Sequence, residues 1–237
     1  MEARMEVPVP VPAAEPAGPP SPAPRRLVVG ISGATGVAYG VQALRFARAA
    51  GVETHLVVTP SGQRTREYET ALSSRELRDL ADAAYRPADV GAAIASGSFR
   101  TDGMLVAPCS VRTLSAIAHG LGDNALTRAA DVTLKERRRL VLLVRETPLT
   151  LAHLRAMTAV TEMGGVVMPP VPAFYLRPRS LEDVVRHTVA RALDLFDVDV
   201  PGTPRWGDGP EPALPGPASG PEPSNPEPSN RNRKALR

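Results

Sequence analysis

The 237-residue chain has one cysteine, Cys109, and only two lysines among its 28 basic residues. Aromatic residues are also few, with four phenylalanines, four tyrosines and one tryptophan. A single cysteine cannot build an internal disulfide framework, and it argues against a cysteine-based metal site within one chain. The four histidines, His55, His119, His153 and His187, lie far apart without metal-ligand spacing, so no metal is expected. No apolar run reaches the ~18 residues that a membrane span needs, and the proline-rich start contains no hydrophobic signal segment. The reading is a soluble, cytoplasmic protein that neither enters a membrane nor is secreted. A net charge of +3, with no basic block interleaved with aromatics in the central region, argues against a nucleic-acid partner.

What is abundant is proline, and its distribution marks the domain boundaries. Eight of the 26 prolines fall in residues 1–24 and ten in 201–237, where Pro-Glu-Pro-Ser-Asn also occurs twice in tandem. Neither end has an apolar periodicity that could offset chain entropy, so both are predicted to be disordered tails. Between them, residues 25–200 suffice for one domain with a sizeable core.

That middle region alternates two patterns. Short runs apolar on both faces, Leu27–Ile31, Thr54–Val58, Gly103–Ala107, Leu140–Val144 and Val166–Met168, read as buried parallel strands. Helical stretches separate them at Gly36–Ala50, Ser74–Ala81, Ser110–Ala118, Asn124–Glu136, Thr150–Met163 and Leu181–Phe196. Ser180 with Asp183 resembles a capping box, and Gly164-Gly165 suits a helix stop. The fold class is therefore α/β, a doubly wound parallel sheet in a single domain. Such sheets bind ligands at the carboxyl ends of their strands.

The loops at that edge hold the candidate chemistry. After the first strand comes Gly30-Ile-Ser-Gly-Ala-Thr-Gly36, in which glycines permit a tight bend and the following helix start can point N–H groups at an anion. The spacing is neither the dinucleotide fingerprint nor a Walker loop, so a mononucleotide such as FMN fits better than NAD or ATP. A plain βα turn stays open as the alternative. Thr59 follows the second strand. After the third, Ser110 and Thr113 read either as a simple helix cap or as donors to a phosphate or a flavin edge. Cys109 beside them lacks a histidine partner pattern and reads as a buried structural thiol. Arg145 and Glu146 follow the fourth strand, and Tyr175 belongs to the loop after the fifth. Arg128 and Lys135 are seven residues apart, hence on one helix face, where they form either a solvated basic surface or a phosphate clamp. Lys135 stands out because the other lysine, Lys234, lies in the tail.

Several separated segments, in order, closely resemble the flavin prenyltransferases, the UbiX family. They are VGISGATG, ETHLVVT, SGSFRTDGMLVAPCS, RAADVTLKERR, VRETPL and MPPVPAFYLRP with the helix that follows, together covering about residues 25–200. The resemblance implies a metal-independent enzyme that joins the dimethylallyl group of dimethylallyl phosphate to N5 and C6 of reduced FMN. The prenylated FMN would serve a UbiD-type decarboxylase. It implies a flavodoxin-like, Rossmann-like fold and a homo-oligomer, commonly a dodecamer, with sites where subunits meet. By motif, Gly33, Ala34, Thr35, Thr59, Ser110, Val111, Arg112, Thr113 and Arg145 would hold FMN. Arg128, Lys135, Tyr175 and Arg191 would bind dimethylallyl phosphate, and Glu69, Lys135 and Glu146 would be catalytic. Two other readings are a non-catalytic flavin carrier of a hydroxyarylic acid decarboxylase and a flavin-dependent cysteine decarboxylase. The latter carries an active-site histidine and a Pro-x-Met-Asn-x-x-Met-Trp segment where this chain reads Met168-Pro-Pro-Val-Pro-Ala-Phe-Tyr175.

Overall fold

A computed structural model describes residues 24–203; the disorder expected of 1–24 and 201–237 falls almost wholly outside them. The elements run β1 (Arg26–Ile31), α1 (Val37–Ala49), β2 (Glu53–Val58), α2 (Pro60–Glu69), α3 (Ser74–Asp79) and β3 (Ala83–Tyr85). They continue with β4 (Gly103–Cys109), α4 (Val111–Ala118), α5 (Ala125–Lys135), β5 (Arg139–Val144), α6 (Leu151–Glu162), β6 (Val166–Val167) and α7 (Leu181–Asp194). The six strands form one parallel sheet in the order β3-β2-β1-β4-β5-β6. Without the three-residue edge strand β3, the order is that of flavodoxin, in which the chain reverses direction across the sheet between its first and third strands. Here that switch point lies between β1 and β4.

The alternating apolar residues of each strand build two cores, as expected of a sheet covered on both faces. Leu27, Val29, Ile31, Leu105, Ala107, Val141 and Leu143 pack with Val41 and Leu44 of α1, Leu77 of α3 and Val189 and Leu193 of α7. Val28, Met104, Val106, Leu140, Leu142 and Val144 pack against Leu114 and Ile117 of α4, Leu126 and Ala130 of α5 and Val160 of α6. The predicted capping box at Ser180 and Asp183 is present, with the Asp183 amide donating to Ser180 Oγ at 3.1 Å. Gly164, at φ 92°, ends α6 as expected.

Four local expectations need correction. Residues 60–69, to which no helix was assigned, form α2. Only Gly62 and Arg66 of that helix are buried, so it carries no apolar period, and it starts because Thr59 caps it and Pro60 presets its first turn. β3 went unseen because Ala83-Ala84-Tyr85 is a short edge segment without an apolar run. β4 reaches Cys109, so Ala107-Pro108-Cys109 is strand rather than loop, with an irregular register between Val106 and Cys109. Gly30 lies inside β1, where it makes room for Leu126 and Met104 instead of bending the chain.

Gly40 fixes how closely α1 approaches the sheet. A Cβ there would overlap the Ala107 carbonyl oxygen of β4 and lie 2.7 Å from the Ile31 side chain. Alanine would favour the helix by about 1 kcal/mol, yet overpacking against backbone costs about 1–3 kcal/mol, so packing should prevail. Gly40→Ala should lower the melting temperature by about 2–6 °C in calorimetry. A rise would show that helix propensity outweighs packing at this site.

Candidate functional site

The carboxyl ends of β1, β2, β4 and β5 open into a cleft of about 720 Å³. It is lined by Gly33, Ala34 and Thr35 after β1, Thr59, Pro60 and Ser61 after β2, Ser110, Val111, Arg112 and Thr113 after β4, and Arg145 and Glu146 after β5. Pro87, Ala88, Asp123 and Asn124 complete the wall.

Three helices begin here, each with a polar cap. Thr59 Oγ1 accepts from the Gly62 amide at 3.0 Å, and Ser110 Oγ accepts from the Thr113 amide at 3.3 Å. Asn124 Oδ1 accepts from the amides of Leu126 and Thr127 at 3.0 and 3.1 Å. The remaining first-turn N–H groups of α2 and α4 have no acceptor within their own helices, while those of α5 are all taken, the Ala125 amide by the Pro87 carbonyl at 2.8 Å; the positive ends of three helix dipoles converge on one space. That is the environment a phosphate requires. The volume lies within the range of cofactor pockets, so the residues present fit FMN.

The two walls of the cleft are tied together by Ser32, which is fully buried. Its hydroxyl donates to the Pro108 carbonyl at 3.0 Å and accepts from the Ser110 amide at 2.8 Å, while its own amide donates to Pro108 at 3.1 Å. Farther along, the Arg145 amide donates to the Cys109 carbonyl at 3.0 Å. Cys109 itself is buried, and burial raises its thiol pKa far above the ordinary value. It is an inert part of the core, as expected.

The glycine turn differs from its predicted role. At the start of α1 the anion is a carboxylate of the protein itself. Glu69 accepts from the Gly36 amide at 2.9 Å, the Val37 amide at 2.9 Å and the Thr35 hydroxyl. Gly36 adopts φ 104°, and a Cβ there would lie 2.8 Å from the Tyr39 ring. Gly33 carries no side chain where Ser61 of α2 crosses it. The turn is thus a close-packed junction whose donors are occupied, and the anion-receptive ends belong to α2 and α4. Glu69 lines a second cavity of about 890 Å³ between α1 and the start of α7, which shares Thr35 and Arg145 with the first. Tyr39 also lines it, and burial raises the pKa of its phenol against the opposing charge of Arg145.

All nine predicted flavin-binding residues and Glu146 therefore face one cleft, and Glu69 lies in the adjoining cavity. The four predicted donor-binding residues are elsewhere on the chain. α5 starts at the cleft, but Lys135 is eleven residues past Asn124, about 16 Å along the helix axis. Its ammonium pairs with Glu136 and its side chain is 47% exposed. Arg128 pairs with Asp131 and Arg191 with Asp194. The two cations on α5 thus each have a carboxylate neighbour, which the spacing argument had not included. Tyr175 is half exposed and meets His187 edge to face.

Sequence reasoning also missed Ser32, Ser61, Pro87, Ala88 and Tyr39. Ser32 was visible within the turn, but its role depends on β4 ending at the same level. None of the histidines lines the cleft: His55 is buried against Glu53 and Tyr85, and His119, His153 and His187 sit on α4, α6 and α7.

Residues 20–193 match the Flavoprotein family. The flavin prenyltransferase UbiX of Neisseria meningitidis serogroup B is 61% identical over 182 residues, covering 77% of this chain and 96% of that protein. The chain belongs to the flavin prenyltransferase family. Among solved structures, AnUbiX (PadA1) in complex with FMN and dimethylallyl pyrophosphate superposes with a TM-score of 0.77 at 49% identity. That match covers 79% of this chain and all of AnUbiX. A dodecameric FMN-dependent Ubix-like decarboxylase from Escherichia coli O157:H7 gives a TM-score of 0.75 at 49% identity, covering 76% of this chain and 98% of that one. Among the described residues of this flavin prenyltransferase family member, no helix is long and apolar enough to cross a membrane.

Ser32→Ala would leave the Ser110 amide without its acceptor at a buried position, costing about 1–3 kcal/mol. FMN affinity should fall in step as the two walls separate. Denaturant unfolding and flavin titration check this together; unchanged values in both would show that Ser32 does not hold the cleft.

Proposed function

We propose that this chain makes prenylated FMN, transferring the dimethylallyl group of dimethylallyl phosphate to N5 and C6 of reduced FMN in the cleft at the carboxyl edge of the sheet. The observation that carries this reading is the convergence of Gly33–Thr35, Thr59, Ser110–Thr113 and Arg145 on one flavin-sized space in a family of flavin prenyltransferases. Residues 25–200 form the active domain, the protein works in the cytoplasm, and the product passes to a UbiD-type decarboxylase.

The caps and first-turn amides of α2 and α4 would hold the FMN phosphate, with Thr35 and Arg145 toward the ring system. Reduced flavin would supply the electron-rich N5, which bonds C1 of the dimethylallyl group and gives up its proton, and C6, which bonds C3 once a proton has added to C2 of the double bond. When the carbon–oxygen bond of the donor breaks, its electron pair leaves on the phosphate. Lys135, Arg128, Arg191 and the Tyr175 phenol stabilise that growing charge. The Glu146 carboxylate at the cleft wall would shuttle protons for this closure, passing one to the alkene and taking up the one that leaves C6. Glu69 would hold Thr35 and the start of α1 in register with the flavin.

One chain does not carry these groups on one side. Lys135 and Arg191 are about half exposed, and Lys135 lies a helix length from the cleft of its own chain. In this reading they complete the cleft of a neighbouring copy within a homo-oligomer, of which a dodecamer is the expected form, as the dodecameric relative supports. The carrier alternative leaves four phosphate-binding groups without a purpose. A histidine-dependent cysteine decarboxylation finds no histidine in the cleft.

Under anaerobic reduction with dimethylallyl phosphate, the extracted flavin should gain the mass of one dimethylallyl unit without added divalent metal. Unmodified flavin from a folded, FMN-loaded sample would refute the enzyme and favour the carrier. Lys135→Ala should slow single-turnover prenylation about 30- to 1000-fold, the effect of removing one charge from a developing phosphate, with FMN affinity unchanged. Equal losses in both would place Lys135 in the flavin site or the fold. Assemblies mixed from Lys135→Ala and Glu146→Gln subunits should regain activity if the two side chains serve one site from different copies.

A further inference from the structure

We propose that His187 is a further binding residue for the allylic donor, its Nε2–H donating a hydrogen bond to the donor phosphate beside Tyr175 and Arg191. This rests on the reading of those two residues as the donor subsite.

His187 lies mid-way along α7. Its Nε2 is fully buried and has no hydrogen-bond partner, the one such side-chain nitrogen or oxygen among the described residues. A buried polar atom left unpaired destabilises the fold relative to an apolar residue of the same shape, so its presence calls for a partner that the chain alone does not supply. His55 shows the contrast. It is a buried residue, whereas His187 is only partly buried around its covered Nε2, yet its two nitrogens meet the Tyr85 hydroxyl at 2.9 Å and Glu53 at 3.0 Å, and it is accounted for as structure.

The neighbours of His187 indicate what the missing partner is. Tyr175, arriving from the short helical turn at Phe174–Leu176, meets its ring edge to face, with centroids 6.4 Å apart and planes at 89°. Arg191 is one turn farther along α7, on the same face. Burial first, and then the Arg191 charge, lower the pKa of His187 against the opposing pull of Asp194, so the ring is neutral at physiological pH. A neutral imidazole has one N–H to give, and with the proton on Nε2 it requires an acceptor. A phosphate oxygen has only lone pairs to offer. It can accept at once from a guanidinium, a phenol and an imidazole N–H without a competing charge on the imidazole, and since Nε2 has no exposed surface in the single chain, the groups that cover it must shift to admit the phosphate.

The experiment compares His187→Phe, His187→Gln and Arg191→Ala in the assembled full-length protein, titrating dimethylallyl phosphate and, separately, inorganic phosphate as a competing product. His187→Phe keeps a ring but removes the donor. It should raise KM for dimethylallyl phosphate about tenfold or more and the inhibition constant of phosphate in parallel, with FMN affinity within about twofold of the parent. It should also melt above the parent when no donor is present, since an unpaired nitrogen has been replaced by carbon. His187→Gln, which restores an N–H donor, should recover KM to within about threefold of the parent. Three results overturn the proposal: an unchanged KM in His187→Phe while Arg191→Ala loses donor binding, a Phe variant that melts below the parent, or a Gln variant as impaired as Phe. If Arg191→Ala is itself without effect, the donor-subsite reading fails instead.

Discussion

Beside each other in the sheet, β1 and β4 send their following helices to opposite faces, and the crevice this leaves must be held at a fixed width. The Ser32 hydroxyl does this, donating to Pro108 of β4 and accepting from the amide that opens the loop into α4. Every other feature of the cleft is measured from that bridge. Ser110, whose amide the bridge holds, is itself the cap of α4, the glycine turn continues from the residue after Ser32, and the Arg145 amide continues the same line of bonds to Cys109. Gly40 adds a steric constraint by letting α1 lie directly on β4. A parallel sheet is rigid at its centre and loose at its edges, so a site built at the innermost strand pair inherits the stiffness of the core.

Charge is distributed differently in the two halves of the machinery. In the cleft proposed for the flavin, backbone amides at helix ends supply positive potential and cannot rotate away. The proposed donor-binding cations are long side chains, each held by a nearby carboxylate: Arg128 by Asp131, Lys135 by Glu136, and Arg191 by Asp194. Exposed pairs of this kind contribute about 0–1 kcal/mol. A doubly charged phosphate with several acceptor oxygens can replace them at small cost.

The strands and most helices were legible because buried parallel strands read as continuous apolar runs, and helices that cover them carry a strong apolar period. α2 and β3 escaped since neither depends on an apolar period: α2 buries only Gly62 and Arg66, and β3 is a short edge. The flavin candidates were legible because strand ends predict a shared edge. The glycine turn was misread in one respect. Local geometry says that an anion belongs at the start of α1, but only the tertiary fold reveals that Glu69, more than thirty residues away in sequence, is that anion. The position of Lys135 was out of reach for a related reason. Seven-residue spacing fixes the helix face it shares with Arg128, yet says nothing of which end of the helix meets the cleft.

Cys109 forms part of the cleft's foundation, and its burial bears on the chemical hazards of handling reduced flavin. Reduced flavin exposed to oxygen generates peroxide, and peroxide attacks thiolates far faster than thiols. The one sulfhydryl in the chain is sealed in the sheet, where burial holds it in the protonated form. The protein therefore presents no thiolate to this by-product, and oxidative inactivation of the flavin edge would have to proceed through some chemistry other than sulfenic acid or disulfide formation.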